Sequence, residues 1–250
     1  SDTDSLNRDF GFNPKDIDYL ILSHAHIDHS GLIPRFVSQG FKGQILATPA
    51  TYDLCKIMLL DSAKIQESDI KYVNKKRKNA NKALFEPLYT IEDALTALTF
   101  FKKVKYSVVH QLFDGVTVSF EDAGHIIGSA SVHLNIKEDG KQINISFSGD
   151  VGRYKDLLLK APKAFRQADY ILLESTYGDS LHDDANPTAD KLLAIIEETC
   201  VKRKGKLIIP AFSVGRTQEI LFELNQLSLE RRLPHVPIYV DSPLSMEATE

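Results

Sequence analysis

The run Ser23-His24-Ala25-His26-Ile27-Asp28-His29-Ser30-Gly31 constrains this chain more than any other part of it. It follows directly on Ile17 to Leu22, an apolar, β-branched stretch that reads as a buried strand ending where the polar residues begin. The imidazoles and the carboxylate therefore sit at a strand's mouth. Three His and one Asp between positions 24 and 29 supply the nitrogen and oxygen donors that Zn²⁺ takes. An HxH pair on extended or turning backbone can aim both rings one way, and Asp28 and His29 point at a neighbouring site. Core packing explains the cluster poorly, because each buried imidazole would need a partner of its own.

The flanking pattern is a layered α/β one. Gly31 to Gly40 reads as a short helix with Pro34 in its first turn, Gln44 to Ala47 as a strand, and Thr48-Pro49 as the opening of a helix that reaches about Gln66. Glu67 to Tyr89 is more polar and carries Lys75-Lys76-Arg77-Lys78, read as a solvated helix end or mobile loop rather than a phosphate contact. A helix follows from about Ile91 to Phe100. From Val104 to Phe147 the period changes to two, with Val116, Val118 and Phe120, then Val132, Leu134 and Ile136, then Ile143, Ile145 and Phe147 on alternate positions. The turn at Lys137 to Lys141 joins the last two strands as a hairpin. Glu121 to His125 closes one of these strands and Ser148-Gly149-Asp150 another, so three strand ends are expected to converge on one rim. His24, His26 and His125 would hold one cation and Asp28 and His29 a second, with the Asp150 carboxylate bridging them. His110, His133, His182 and His235 lack such company and read as ordinary structural or exposed residues.

Residues 169 to 250 follow a βαβ pattern. Tyr170 to Leu173 reads as a buried strand ending in Glu174, a helix starts at Asn186-Pro187-Thr188 and runs to about Val201, and Lys206 to Ile209 is a strand. Gly215 to Arg231 is a helix, Ile238 to Val240 a strand, and Pro243 starts another helix. Such a pattern implies a parallel sheet with its active edge at the strand C-termini. At that edge Ser213, Gly215, Arg216 and Ser242 suit a phosphate cradle, while Arg216 reads equally well as a local cap or salt bridge. Phe212 could stack a base, though it reads better as a core aromatic.

A net charge of -4 and a pI near 6.1 give no global basic signal, so any nucleic-acid contact must come from a local patch or from bound metals. With 250 residues and 43% hydrophobic content the chain can bury a sizeable core. Cys55 and Cys200 stand apart in helical segments, as reduced buried thiols of a cytosolic protein do, and no apolar run is long enough to span a membrane.

With these residues placed, the chain resembles the metallo-β-lactamase superfamily and, more narrowly, the β-CASP nucleases, in the branch of the 3′-end-processing endonuclease and its prokaryotic relatives. SHAHIDHSGLIP from Ser23, AGHIIGSA from Ala123 and FSGDVGR from Phe147 are similar to the superfamily's metal motifs. LLESTYGD from Leu172, PAFSVGRTQEIL from Pro210 and VDSPL from Val240 are similar to β-CASP motifs and are far more specific than HxHxDH alone. The resemblance implies a partial αββα sandwich over residues 1–178, lacking its N-terminal strands, then the first part of a Rossmann-like parallel-sheet β-CASP cassette over 179–250. It also implies that two cassette histidines lie beyond Glu250, and that the chain is an internal portion of a longer enzyme.

The activity implied is hydrolysis of an RNA phosphodiester, endo- or exonucleolytic, in RNA processing or decay. Two Zn²⁺ roughly 3.5–4 Å apart would hold a shared hydroxide and stabilise the leaving oxygen. The metal ligands implied are His24, His26, Asp28, His29, His125 and Asp150. Asp28, Asp150 and Glu174 are the catalytic acids, Glu174 orienting one of the later histidines, and Ser213, Arg216 and Ser242 position phosphates. RNA is the expected substrate, with a homodimer allowed, no membrane and a cytoplasmic location. The rival readings are a small-molecule thioesterase or lactamase-like hydrolase and a non-catalytic RNA-processing subunit.

Overall fold

The computed structural model describes residues 6–180 and 189–249. The chain divides into two compact units, Ser1–Glu174 and Ser175–Glu250.

The first unit opens with strand β1 (Tyr19–Ile21), the single-turn helix α1 (Ile27–Ser30), helix α2 (Ile33–Ser38) and strand β2 (Gln44–Ala47). Helix α3 (Pro49–Asn79) starts where the Thr48 hydroxyl accepts the Thr51 N–H, with Pro49 just inside the cap. It runs well past the Gln66 expected as its end and takes in the whole Lys75–Lys78 run, because no Gly or Pro interrupts the sequence from Ala50 to Asn79. Helix α4 (Ile91–Leu98) begins with a reciprocal cap, the Thr90 hydroxyl and the Asp93 carboxylate each accepting the other's backbone N–H. Strand β3 (Phe101–Lys103) pairs with β2, and β1, β2 and β3 form a three-stranded parallel sheet. Helices α2 and α3 pack against α4, and Tyr52 of α3 meets Phe101 of β3 edge to face.

The second sheet contains β4 (His110–Phe113), β5 (Val116–Asp122), β6 (Ala130–Glu138), β7 (Lys141–Phe147) and β8 (Tyr170–Leu172), in that order. The first four are antiparallel, as the period of two predicts, and β8 lies parallel to β7. The β6–β7 hairpin turns at Asp139 (φ 52°) and Gly140 (φ 75°), both left-handed, the arrangement a two-residue loop needs to match strand twist. Leu46, Val104, Val118, Phe120, Ala130 and Val132 fill the core, with Tyr19, Ile21 and Leu134 packed against them. This is the expected two-sheet sandwich with helices outside it. One expectation fails: Tyr170, Ile171, Leu172 and Leu173 are exposed, because β8 is an edge strand with a single neighbour.

In the second unit α5 (Ala189–Ile196) continues into a π-helical turn at Glu197–Lys202, followed by α6 (Arg216–Leu229) and α7 (Pro243–Glu247). Leu193, Ile196, Val214, Leu224 and Leu227 are buried apolar residues among those described in it. Lys206–Ile209 and Ile238–Val240, expected as strands of a parallel sheet, form no strand. Two short segments joined by a crossover cannot hold a parallel ladder without further neighbours and a covered face. Phe212, read as a core aromatic, is exposed. The expected helix start at Asn186-Pro187-Thr188, and His182, lie outside the described residues.

Cys55 is buried, its thiol pushed up to about 12 by that burial, whereas Cys200 is partly exposed. No described helix is long and apolar enough to cross a membrane.

Candidate metal centre

Loops from both sheets meet at one rim of the sandwich, and local chemistry holds each in place. The loop after β1 delivers His24 and His26, and α1 begins at once so that Asp28 and His29 ride on its single turn. The Ser30 hydroxyl donates to the Ala25 carbonyl at 2.8 Å and closes that turn. The loop between β5 and β6 carries His125, and the Ser129 hydroxyl accepts the N–H groups of His125 (3.0 Å) and Ile126 (3.2 Å). Thr48 and Thr51 at the start of α3 donate to the Gly128 carbonyl at 2.7 and 2.9 Å, which ties this loop to the helical layer.

The third loop, after β7, presents Asp150. Gly149 stands at φ 56°, and a Cβ there would lie 2.8 Å from that of Ser23; one at Gly152 would lie 1.7 Å from the Gly124 carbonyl oxygen. Only glycine lets the Asp150 loop approach the other two so closely. Glu174 completes the support: its Oε1 accepts the Val151 N–H at 3.0 Å, and its own N–H donates to the Ser148 hydroxyl.

His24, His26, His125 and Asp150 are thereby gathered, with one donor atom from each lying within 4.8 Å of all the others. The Asp150 Oδ2 is 3.7 Å from His24 Nε2 and 3.5 Å from His125 Nε2, while Oδ1 is 3.3 Å from His29 Nε2. His29 Nε2 also lies 3.5 Å from the exposed Asp28 carboxylate. The Asp150 carboxylate thus faces His24 and His125 with one oxygen and His29 with the other.

The donor set fits a divalent cation on electrostatic grounds. His24 is fully buried, and its Nε2 has no hydrogen-bond partner. Its Nδ1 lies 3.1 Å from the Ser23 hydroxyl. A proton on Nδ1, donated to Ser23, leaves the Nε2 lone pair turned into the cluster. Burial, with the neighbouring imidazoles of His29, His26 and His125 adding to it, pushes the His24 pKa down to about 2. Burial also lowers His26, and it lowers His125 despite the opposing pull of Asp150 and Glu174. Neutral imidazoles are the form that binds metal. His26 Nδ1 and His125 Nε2 face one another at 3.1 Å, a spacing that a shared proton or a cation must occupy.

The cassette residues are held by contacts within the second unit. The Ser213 and Ser242 hydroxyls lie 3.2 Å apart, and Ser242 also caps α7 by accepting the Ser245 N–H. Arg216 pairs with Glu219 one turn along α6 at 2.6 Å, as the local salt-bridge alternative has it. The Gly215 N–H donates to the Gln218 side chain, which engages a group expected to face phosphate.

Sequence reasoning passed over Ser23 and Ser129, although each adjoins a motif histidine or closes its loop. His133 is structural as expected, buried between the Ser131 and Ser146 hydroxyls. The acid network beside it had no local signal: Glu121 accepts from Ser107 and Lys163 and pairs with Arg166.

The chain is similar in sequence to known proteins. Ribonuclease TTHA0252 of Thermus thermophilus is 35% identical over 236 residues, which are 94% of this chain and 49% of that protein. Transcription termination factor FttA of Methanosarcina mazei is 32% identical over 237 residues, 93% of this chain and 34% of that one. The chain therefore spans about half the length of the first and a third of the second. Among solved structures, the FEZ-1 metallo-beta-lactamase from Legionella gormanii aligns over 62% of this chain and 51% of its own at 19% identity and a TM-score of 0.35. The Metallo-beta-lactamase superfamily profile matches residues 2–198, the span that holds both sheets and every residue of the histidine–aspartate cluster, and this chain belongs to that superfamily.

Proposed function

We propose that the protein of which this chain forms part is a zinc-dependent RNA phosphodiesterase of the β-CASP kind, acting in RNA processing or decay. The observation that carries the reading is the convergence of His24, His26, His125 and Asp150 from three separated loops. The names of the relatives, a ribonuclease and a transcription termination factor, point to RNA as the polymer.

Two zinc ions, one on His24, His26 and His125 and one on Asp28 and His29 with Asp150 between, would supply Lewis acidity and a water ionising near neutral pH. The chain's own residues do the rest. Ser23 fixes the His24 tautomer, and Glu174 holds the Asp150 loop through the Val151 N–H. Asp28, the most exposed carboxylate of the set, faces solvent where it can orient the attacking water. Ser213, Arg216 and Ser242 position the RNA backbone, with Arg216 exchanging Glu219 for a phosphate. Residues 1–178 would form the hydrolase domain and 179–250 the first part of the cassette, a reading that the division of the chain into two compact units near residue 174 supports.

The test uses the full-length protein with labelled single-stranded RNA and, separately, with thioester and β-lactam substrates. RNA cleavage that disappears on chelation and in Asp150→Ala is the expected result. Turnover confined to the small substrates would falsify the nuclease reading.

A further inference from the structure

Helix α3 does more than cover a sheet. Its last buried residue is Ala63, yet it continues through Asn79, about 24 Å further at 1.5 Å per residue. The half-buried positions of this outer part, Gln66, Glu67, Ile70, Asn74 and Arg77, form a single helix face. The chain after the helix is strapped back along that face. Asn74 exchanges two hydrogen bonds with the Phe85 backbone at 2.8 and 2.9 Å, and the Arg77 guanidinium lies 3.9 Å over the Phe85 ring. Gln66 accepts the Leu88 N–H, and Glu67 accepts that of Ile91. The result is a braced arm.

Its open side carries a stripe of one sign, with the exposed Asp69 on a different side of the helix. Lys64, Lys71, Lys75 and Lys78 are exposed and fall on one stripe at helical spacing, spanning about 21 Å along the axis. Residues 70–85 contain six Lys or Arg and no Asp or Glu, within a chain of net charge -4. Among the described residues, none of the four stripe lysines makes an ion pair. Like charges at i,i+3 and i,i+4 repel, and the helix macrodipole rewards cations only in the last turn, here Lys76, Arg77 and Lys78. Lys64, Lys71 and Lys75 lie outside that reach. Exposed Tyr72 flanks the stripe, with the Lys76 ammonium 4.4 Å over its ring.

From this arm we infer a second nucleic-acid contact separate from the metal centre: the Lys64–Lys71–Lys75–Lys78 stripe tracks the phosphates of single-stranded RNA, with Tyr72 as a stacking platform beside it. Charge complementarity sets the occupant's chemistry, and the choice of RNA among polyanions rests on the function proposed above. The structure places the run at an exposed helix end, one of the two alternatives read from the sequence, and a phosphate contact there goes beyond that reading. A braced helix presents its charges at fixed spacing, which a mobile loop does not.

The test measures binding of a fluorescent single-stranded RNA to the full-length protein by anisotropy over a salt series, in an Asp150→Ala background that prevents hydrolysis. Each phosphate contact contributes about 0.7 to the slope of log K against log salt for a single strand. The fourfold Lys→Gln variant at 64, 71, 75 and 78 is expected to lower the slope by about 3 and the low-salt affinity at least about tenfold. The matching Lys→Arg variant is expected to retain both, which separates charge from folding. An unchanged slope in the Gln variant overturns the inference. So does a loss of binding to phosphatidylserine vesicles with RNA binding intact, which would assign the arm to a membrane surface. If wild-type protein cleaves no RNA while the Gln variant still shows the slope change, the proposed activity fails and the arm stands.

Discussion

Gln44-Ile45-Leu46-Ala47 and Lys206-Leu207-Ile208-Ile209 look alike as sequence, each a polar residue followed by three apolar ones. The first is β2, central in its sheet, with Ile45 fully buried; the second forms no strand, and Ile208 is 84% exposed. What separates them is company. β2 finds β1 on one side and β3 on the other, and Leu46 enters a core shared with Val118 and Phe120. The partner expected for 206–209, Ile238–Val240, is unpaired as well. An apolar β-branched run permits pairing but does not supply it, because a parallel ladder is non-local and needs neighbours and covered faces together. The same contrast governs the chemistry. Paired strand ends in the first unit carry His24, His125 and Asp150 to one point, whereas Ser213 and Ser242 meet with no strand beneath either and Arg216 pairs along its own helix.

The largest expected effect lies where the pairing is complete. His24→Ala removes a buried donor from the cluster, and metal content measured by inductively coupled plasma mass spectrometry should drop with it. RNA cleavage by the full-length protein should fall on the order of a thousand-fold, about 4 kcal/mol of transition-state stabilisation. Arg216→Ala should instead raise KM by about tenfold or less and leave metal content unchanged. An Arg216 variant as inactive as the His24 variant would break the contrast between the two regions.

Next comes the acid on the far face of the antiparallel sheet. Burial alone would raise the Glu121 carboxyl, but hydrogen bonds from Lys163, Ser107 and Arg166 outweigh it and bring the pKa from 4.5 to about 2. Between those two values the unfolded chain binds more protons than the native one, so native stability rises with pH across that window. The stabilisation is fully present above about pH 4.5 and is lost as pH falls through about 2. Allowing for screening of the half-exposed Lys163 and Arg166, it is on the order of 2 kcal/mol. Glu121→Gln should show that loss in urea unfolding at pH 7 and converge on wild type near pH 2. A constant difference at both pH values would mean that packing, not charge, is what Glu121 supplies.

Ser23→Ala tests how the centre is held. The change leaves every metal donor in place and frees the His24 ring from its Nδ1 partner. Metal affinity, from competition with a chromophoric chelator, should fall about 10–100-fold, as when a hydrogen bond to a metal-binding histidine is lost. An unaltered affinity would assign the orientation of His24 to ring packing, since the His29 ring centroid lies only 4.1 Å away.

These expectations also mark what could be read from sequence. The cluster was legible because divalent-metal chemistry restricts residue type and spacing so tightly that His24, His26, His125 and Asp150 stand out in sequence, and the structure brings those four together. The hairpins were legible because period two and an Asp139-Gly140 turn are local signals. Ser23, Ser129 and the Glu121–Lys163–Arg166 network were not, since a serine beside a histidine or an acid in a strand looks like any other until distant partners arrive. The end of α3 was misjudged for the opposite reason. Polarity after Gln66 suggested a stop, but helices continue until a breaker or a competing cap intervenes, and none occurs before Asn79.

The smallest expected effect, at Ile208, gives the sharpest test of the opening contrast when set beside Ile45. Ile45→Ala removes a fully buried side chain from a paired strand and should cost about 2–5 kcal/mol in equilibrium unfolding. Ile208→Ala, in the same 250-residue chain, trims a side chain that is 84% exposed and should change stability by no more than about 0.5 kcal/mol. The two substitutions delete the same atoms from segments of the same pattern, so intrinsic strand propensity cannot account for the gap. A cost at Ile208 comparable to that at Ile45 would show that 206–209 is paired and covered in solution. The residues proposed to face phosphate would then stand on a formed sheet edge, and strand pairing would add to the Ser213–Ser242 contact in placing them.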